Sequence, residues 1–202
     1  MTQTSNLHEE RLDHACALLE HSGARSVLDL GCGSGALLQR LVQASCFNRI
    51  VGLEESGVSL AQARERLAHW LAEPQTPLRL KRGSIQARDE QLTGFDAAVM
   101  IEVIEHVPPQ KLSMVEQTVF GHFRPVMLFL TTPNAEYNPI FGLGPGEFRE
   151  PDHRFEWDRA KFRKWVTGVA QRNGYQVRIG GIGEVDEAFG SPTQTAWFSR
   201  RD

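Results

Sequence analysis

The stretch VLDLGCGSG (27–35) limits the fold more than any other part of the chain. An apolar run of strand composition meets Gly31, Gly33 and Gly35, and a helix-forming segment follows from about residue 36. Glycines at such a junction permit a tight turn and let the backbone approach a ligand at the start of the helix. A strand followed by a helix returns the chain to the edge it left, so the next strand lies parallel to the first.

The rest of the chain repeats this pattern. RIVGLE (49–54), PLRLKRG (77–83), FDAAVMI (95–101) and PVMLFLTT (125–132) read as strands, and GYQVRIGGI (174–182) and TAWFS (195–199) supply two more. The first helix is expected to open on a capping box of Asn6 and Glu9. Leu12, Ala15, Leu18 and Leu19 form its apolar side, and Gly23 ends it. Further helices are expected over 36–44, over 61–71, from Pro108 to about Phe120, and from an Asp158 cap. That last helix turns Phe162, Trp165, Val166 and Val169 inward. The alternation predicts one α/β domain over 1–202, a seven-stranded, mostly parallel, doubly wound sheet of Rossmann-like type. PVMLFLTT, the most apolar strand, belongs near its centre, covered on both faces. Residues 133–156, rich in Gly and Pro, form an inserted loop too long to be a plain connection, and read as functional.

Composition narrows the function classes. The first ten residues lack the basic start and apolar stretch of a signal peptide, and the longest apolar runs are strand-sized. The three cysteines show no metal-finger spacing, so a cytoplasmic protein is expected and Cys32 is read as a packing residue. A net charge of -3 argues against a protein that coats nucleic acid. The charge is uneven, however: residues 149–178 carry eight basic against four acidic side chains, and RLKRGSIQAR (79–88) carries four basic ones. Such stretches are solvated helix faces, or a rim that accepts one end of a polyanion.

Three features carry chemistry. The glycine spacing is G-x-G-x-G rather than the dinucleotide G-x-G-x-x-G, with Asp29 two residues before the first glycine. Glu54 closes the second strand, where an acid can hydrogen-bond both hydroxyls of a ribose. Together these resemble the S-adenosylmethionine (SAM) pocket of class I methyltransferases. In MIEVIEH (100–106) a strand runs into Glu102, Glu105 and His106 at the carboxyl edge of the sheet, where ligands of open α/β folds collect. If the chain turns helical at once, these positions share one face and converge. His153 of PDHRFEW (151–157), inside the insertion, offers a fourth donor. Two carboxylates and two imidazoles suit Mn, Fe, Co or Zn, leaving open positions for a vicinal diol. His8, His14, His21, His69 and His122 have no comparable company.

EVIEH, TTPNAEYN (131–138), DHRFEW and GEVDEAFGSPTQTAWF (183–198), in that order, resemble the HEN-type (Hua-enhancer) small-RNA methyltransferases, and most of all their bacterial RNA-repair branch. The resemblance spans residues 7–198. It implies methylation of the 2'-hydroxyl of the 3'-terminal ribose of RNA, with SAM and a divalent ion, Mn2+ first and Mg2+ or Co2+ as alternatives. It places metal ligands and catalysis on Glu102, Glu105, His106 and His153. It places the donor pocket on the Asp29–Gly35 loop, Glu54, Ser84 and Ile101. The implied partners are an RNA 3' end and a polynucleotide kinase-phosphatase/ligase that acts in RNA repair with a long N-terminal region of bacterial members. The present 202 residues match only the methyltransferase part. Two departures stand out: many relatives carry Asp where this chain has Glu54, and REP precedes DHRFEW where bacterial relatives are often more basic. Arg149 and Arg154 are then the phosphate-binding candidates. The competing readings are a metal-dependent O-methyltransferase for a small vicinal diol or catechol, which needs an aromatic-lined cleft, and a SAM-binding scaffold without turnover.

Overall fold

Alternate residues of each inner strand serve opposite faces of one sheet, and helices cover both. Leu28, Leu30, Ala98 and Met100 pack on one side, Val27, Ala97 and Val99 on the other. The computed structural model describes residues 3–201, with side chains from residue 6 onward. Its elements run α1 (Gln3–His21), β1 (Ser26–Leu30), α2 (Ala36–Gln43), β2 (Arg49–Glu54), α3 (Gly57–Arg66), α4 (Ala68–Leu71), β3 (Leu78–Arg82), β4 (Ala97–Ile101) and α5 (Leu112–Val115). After α5 come a π-helical run, Glu116–Phe123, then β5 (Met127–Pro133), α6 (Arg159–Asn173), β6 (Tyr175–Ile182) and β7 (Thr193–Arg200).

The strand order is β3-β2-β1-β4-β5-β7-β6, and only β7 runs against its neighbours. The expected seven-stranded, mostly parallel, doubly wound sheet is therefore present. The order reverses direction between β1 and β4, which opens a crevice at their carboxyl ends. β5 is buried from Leu128 to Pro133, as its composition required. None of the described helices is long and apolar enough to cross a membrane.

Several expected boundaries move. Asn6 is not a cap: α1 has already begun at Gln3, and the Asn6 amide donates to Glu10 instead. The helix expected over 61–71 starts earlier, because the Ser56 hydroxyl accepts from the Ser59 N–H and caps α3; it then breaks at Leu67. The helix expected from Pro108 starts at Pro109 as a 3-10 turn, and its last turns widen to π geometry, ending at Arg124 with φ 47°. Asp158 does cap α6, its carboxylate accepting from the Lys161 N–H at 2.6 Å.

The 133–156 insertion is tied down. A 3-10 segment, Ala135–Phe141, opens it, and Asn134 caps that segment while its amide donates to the carbonyls of Phe189 and Ser191. The Arg149 guanidinium donates to Asn138 Oδ1 and to the carbonyls of Pro192 and Asn134. It is thus the staple of the insertion, half-buried and with each of its three nitrogens donating to the protein. That corrects the expectation that Arg149 binds phosphate: its partners are backbone carbonyls brought from 43 and 15 residues away.

Candidate active site

The crevice at the sheet's switch point is an open cleft of about 730 Å³. Gly31, Gly33, Glu54, Ser56 and Gln86 line one end, and Glu102, Val103, His106, Lys111 and Asp152 line the other.

At the first end the glycine loop is held by backbone. The N–H groups of Gly31 and Cys32 donate to the Leu53 carbonyl, and the Gly33 N–H donates to Glu54 Oε2 at 2.9 Å. Glu54 Oε1 accepts from the Ser56 N–H, so its carboxylate is oriented at the end of β2, facing the cleft. Gly31 has φ 80°, and a Cβ there would lie 2.8 Å from Val103 Cγ2; Gly33 has φ 53° with open space beside it. Gly35, also left-handed at φ 81°, serves as the cap of α2 rather than lining the cleft. Cys32 is buried against Gly52, and burial pushes its thiol far up, in keeping with a packing role.

Asp29 lies beneath this loop, 3% exposed, and its Oδ2 has no hydrogen-bond partner among the described residues. Burial first, and the Glu54 charge second, raise its carboxyl to about 7. An orphaned buried carboxylate oxygen beside a left-handed glycine loop is ready to accept from a donor group of a ligand. Ser84 lies apart from the lining, its hydroxyl directed to Glu55; its neighbours Gly83, Ile85 and Gln86 form that wall. Ile101 packs against the α1–α2 side of the sheet, and Val103 takes the lining place instead.

At the other end Glu105, His106 and His153 each present one ligand atom, all within 4.8 Å of one another. The convergence does not come from a helix starting at Glu102. That residue has φ 54°, and a 3-10 turn begins only at Ile104, so the expected one-face spacing is replaced by a backbone reversal. Glu102 stands outside the three-donor group. Its carboxylate accepts from Thr131 Oγ1 at 2.7 Å and pairs with Arg11 at 3.2 Å.

Glu105 is fully buried; Thr132 Oγ1 donates to its Oε2, while its Oε1 has no partner among the described residues. Burial, then the nearby Glu102 charge, hold its carboxyl well above the usual range. His153 is nearly buried, and its Nδ1 lies 2.6 Å from Glu156 Oε1. The His106 ring meets the His153 ring edge-on at 4.8 Å, and its Nδ1 lies 3.1 Å from Asp152. One orphaned carboxylate oxygen and two imidazoles fit a divalent transition ion. Arg154, exposed, sends its N–H to the Glu105 carbonyl, and its side chain has no partner among the described residues.

Arg11, Thr131, Thr132 and Glu156 shape this end, yet sequence reading did not single them out. Thr131, Thr132 and Glu156 fall within the TTPNAEYN and DHRFEW motifs, which gave them no role of their own, and Arg11 reaches the site from a distant element.

A family model described as a methyltransferase domain matches residues 28–125. The crystallised methyltransferase domain of bacterial CtHen1-C is 39% identical, with a TM-score of 0.87, covering 97% of this chain and 100% of that one. The chain belongs to the Hen1 family of methyltransferase domains. Its architecture is accordingly the class I methyltransferase fold. The solved small RNA methyltransferase HEN1 is 32% identical to this Hen1-family chain, with a TM-score of 0.89, over 96% of this chain and 25% of that one. Small RNA 2'-O-methyltransferase of Xenopus tropicalis is 35% identical over 203 residues, 96% of this chain and 55% of the relative. The Hen1-family chain thus spans about half the length of that curated relative.

Proposed function

We propose that this Hen1-family domain transfers a methyl group from SAM to the 2'-hydroxyl of the 3'-terminal ribose of RNA, with a divalent ion held by Glu105, His106 and His153. The observation that carries the reading is the continuity of the cleft. One open space joins the glycine loop and Glu54 to Glu102 and His106.

When bound, SAM supplies the electrophilic methyl and the ion supplies Lewis acidity that lets a hydroxyl lose its proton near neutral pH. The chain's own part is placement. Glu54, fixed by the Gly33 and Ser56 N–H groups, presents its carboxylate to a ribose. The unpartnered oxygens of Asp29 and Glu105 mark where the two ends still need donors or a cation. Glu102 lines the same end of the cleft as His106, oriented by Thr131 and balanced by Arg11, and is the candidate fourth ligand. Lys111, which lines the cleft, and Arg154, exposed next to His153 in sequence, are the cations we assign to the phosphate behind a terminal nucleotide. An RNA 3' end is the partner this implies, and a repair kinase-phosphatase/ligase is a natural source of such an end.

The small-diol or catechol reading loses support, since among the described residues no Phe, Tyr or Trp lines the cleft; Phe141 packs instead on Tyr137 and Arg149. The test is methyl transfer from labelled SAM to a short RNA with Mn2+ or EDTA. The same RNA ending in a 2'-deoxy or a 3'-phosphate nucleotide is run beside it. Transfer only to the diol end, and only with metal, is expected. Transfer to the 3'-phosphate RNA, or in EDTA, would remove the diol-reading ion from the proposal.

A further inference from the structure

His153 reaches the cluster from the insertion, the part of the chain with the least regular structure. What fixes its ring is a buried carboxylate. The Glu156 side chain is 1% exposed, and three donors converge on it. His153 Nδ1 and Arg149 N–H meet Oε1 at 2.6 and 2.8 Å, and Asn138 Nδ2 meets Oε2 at 2.6 Å. Asn138 in turn accepts from the Arg149 Nε–H at 2.8 Å, so the same guanidinium that staples the insertion also sets the amide that donates to Glu156.

An ionised carboxylate accepts and has no proton to give. The Arg149 backbone N–H donates to Oε1 and the Asn138 amide to Oε2, and the Arg149 Nε–H fixes which end of that amide donates, so both Glu156 oxygens already serve as acceptors. The short contact therefore runs from Nδ1–H to Glu156, which leaves the lone pair of the neutral ring on Nε2. A ring held that way offers one defined ligand atom in one direction.

We infer that Glu156 is a positioning residue that selects the Nδ1–H tautomer of His153 and aims its Nε2 at the Glu105–His106 cluster, with Asn138 and Arg149 holding Glu156 in place. The inference deepens the proposed metal reading and rests on it for its purpose, although the tautomer itself does not depend on any ion. The contrast with His106 is internal: its partner Asp152 is 69% exposed and that ring is 38% exposed, so no equally rigid device acts there.

A conservative substitution separates positioning from packing. In Glu156→Gln the side chain keeps its volume, and its amide can turn an N–H toward Nδ1, favouring the Nε2–H form. The first measurement is nitrogen-15 NMR of the His153 ring in the metal-free protein near pH 8. The wild type is expected to show the Nδ1–H pattern, with Glu156→Gln moving toward Nε2–H. The second is Mn2+ binding followed by electron paramagnetic resonance without RNA or SAM. Glu156→Gln is expected to weaken it by about 10–100-fold, with Glu156→Asp recovering part of the loss. SAM affinity by calorimetry should stay unchanged in both variants, which reports an intact fold. A wild-type ring in the Nε2–H form overturns the inference even if the enzyme needs metal. The expected tautomers with no Mn2+ binding by the wild type would leave Glu156 as the selector and overturn the metal reading. Unchanged Mn2+ affinity in Glu156→Gln, despite a switched tautomer, would overturn the aiming role.

Discussion

Arg11 on α1 pairs with Glu102 at the end of β4, 3.2 Å apart, with both side chains largely buried. The same guanidinium donates from Nε to Thr193 Oγ1 at 2.8 Å, the entry of β7. Removing one partner of such a pair strands the other charge, which typically costs about 3–5 kcal/mol. Exposure of Glu102 to the cleft places this case near the lower bound, so Arg11→Ala should cost about 3 kcal/mol in urea unfolding. A loss under about 1 kcal/mol would mean that water replaces the guanidinium freely.

Asp29 should make the SAM-free protein pH-sensitive. Its folded value is about 7 against an ordinary 3.8, so the folded state holds a proton that the unfolded chain has released. The associated stability is complete below about pH 4 and is lost as pH rises through 7, on the order of 4 kcal/mol in total. Asp29→Asn should flatten that decline between pH 5 and 8, and should weaken SAM binding in calorimetry. An unchanged slope would show that Asp29 is ionised in the fold.

Two of the lining glycines, Gly31 and Gly33, should answer differently to alanine. Gly31→Ala combines a left-handed backbone with a Cβ 2.8 Å from Val103, strain plus overpacking, so a loss of about 3 kcal/mol is expected. Gly33→Ala meets open space and should cost about 1 kcal/mol. Its methyl enters the cleft, however, so SAM affinity should fall more than stability. Equal thermal losses in the two variants would contradict the close approach of Val103 to Gly31.

Arg149 and Arg154 look alike in sequence and part company in the fold. Arg149→Ala should lower the melting temperature, because three buried acceptors lose their donor. Arg154→Ala should leave melting unchanged and weaken RNA binding, reducing the salt dependence by about one phosphate contact. A melting shift in Arg154→Ala equal to that of Arg149→Ala would erase the distinction.

That pair also shows what a sequence withholds. The glycine loop, Glu54 and the strands are legible because each depends on local spacing and alternation. The convergence of Glu105, His106 and His153 is legible as donor chemistry, but the route is not: the positive φ of Glu102 replaces the helix that spacing suggested. A guanidinium bonded to carbonyls looks like one awaiting phosphate until the chain is folded. Arg11 is invisible for the same reason, since its partners lie 91 and 182 residues away. The Asn6 capping signal fails more simply, because α1 starts before it.

The Arg11–Thr193 contact has a consequence for synthesis. During translation the glycine loop and Glu54 leave the ribosome before β7, and their half of the sheet is made well ahead of that strand. Arg11 must wait for Thr193, and the insertion for the Pro192 carbonyl that Arg149 holds. A nascent chain can therefore shape the glycine-loop half of the cleft first, while the half that carries the proposed ion ligands closes only after β7 has been made.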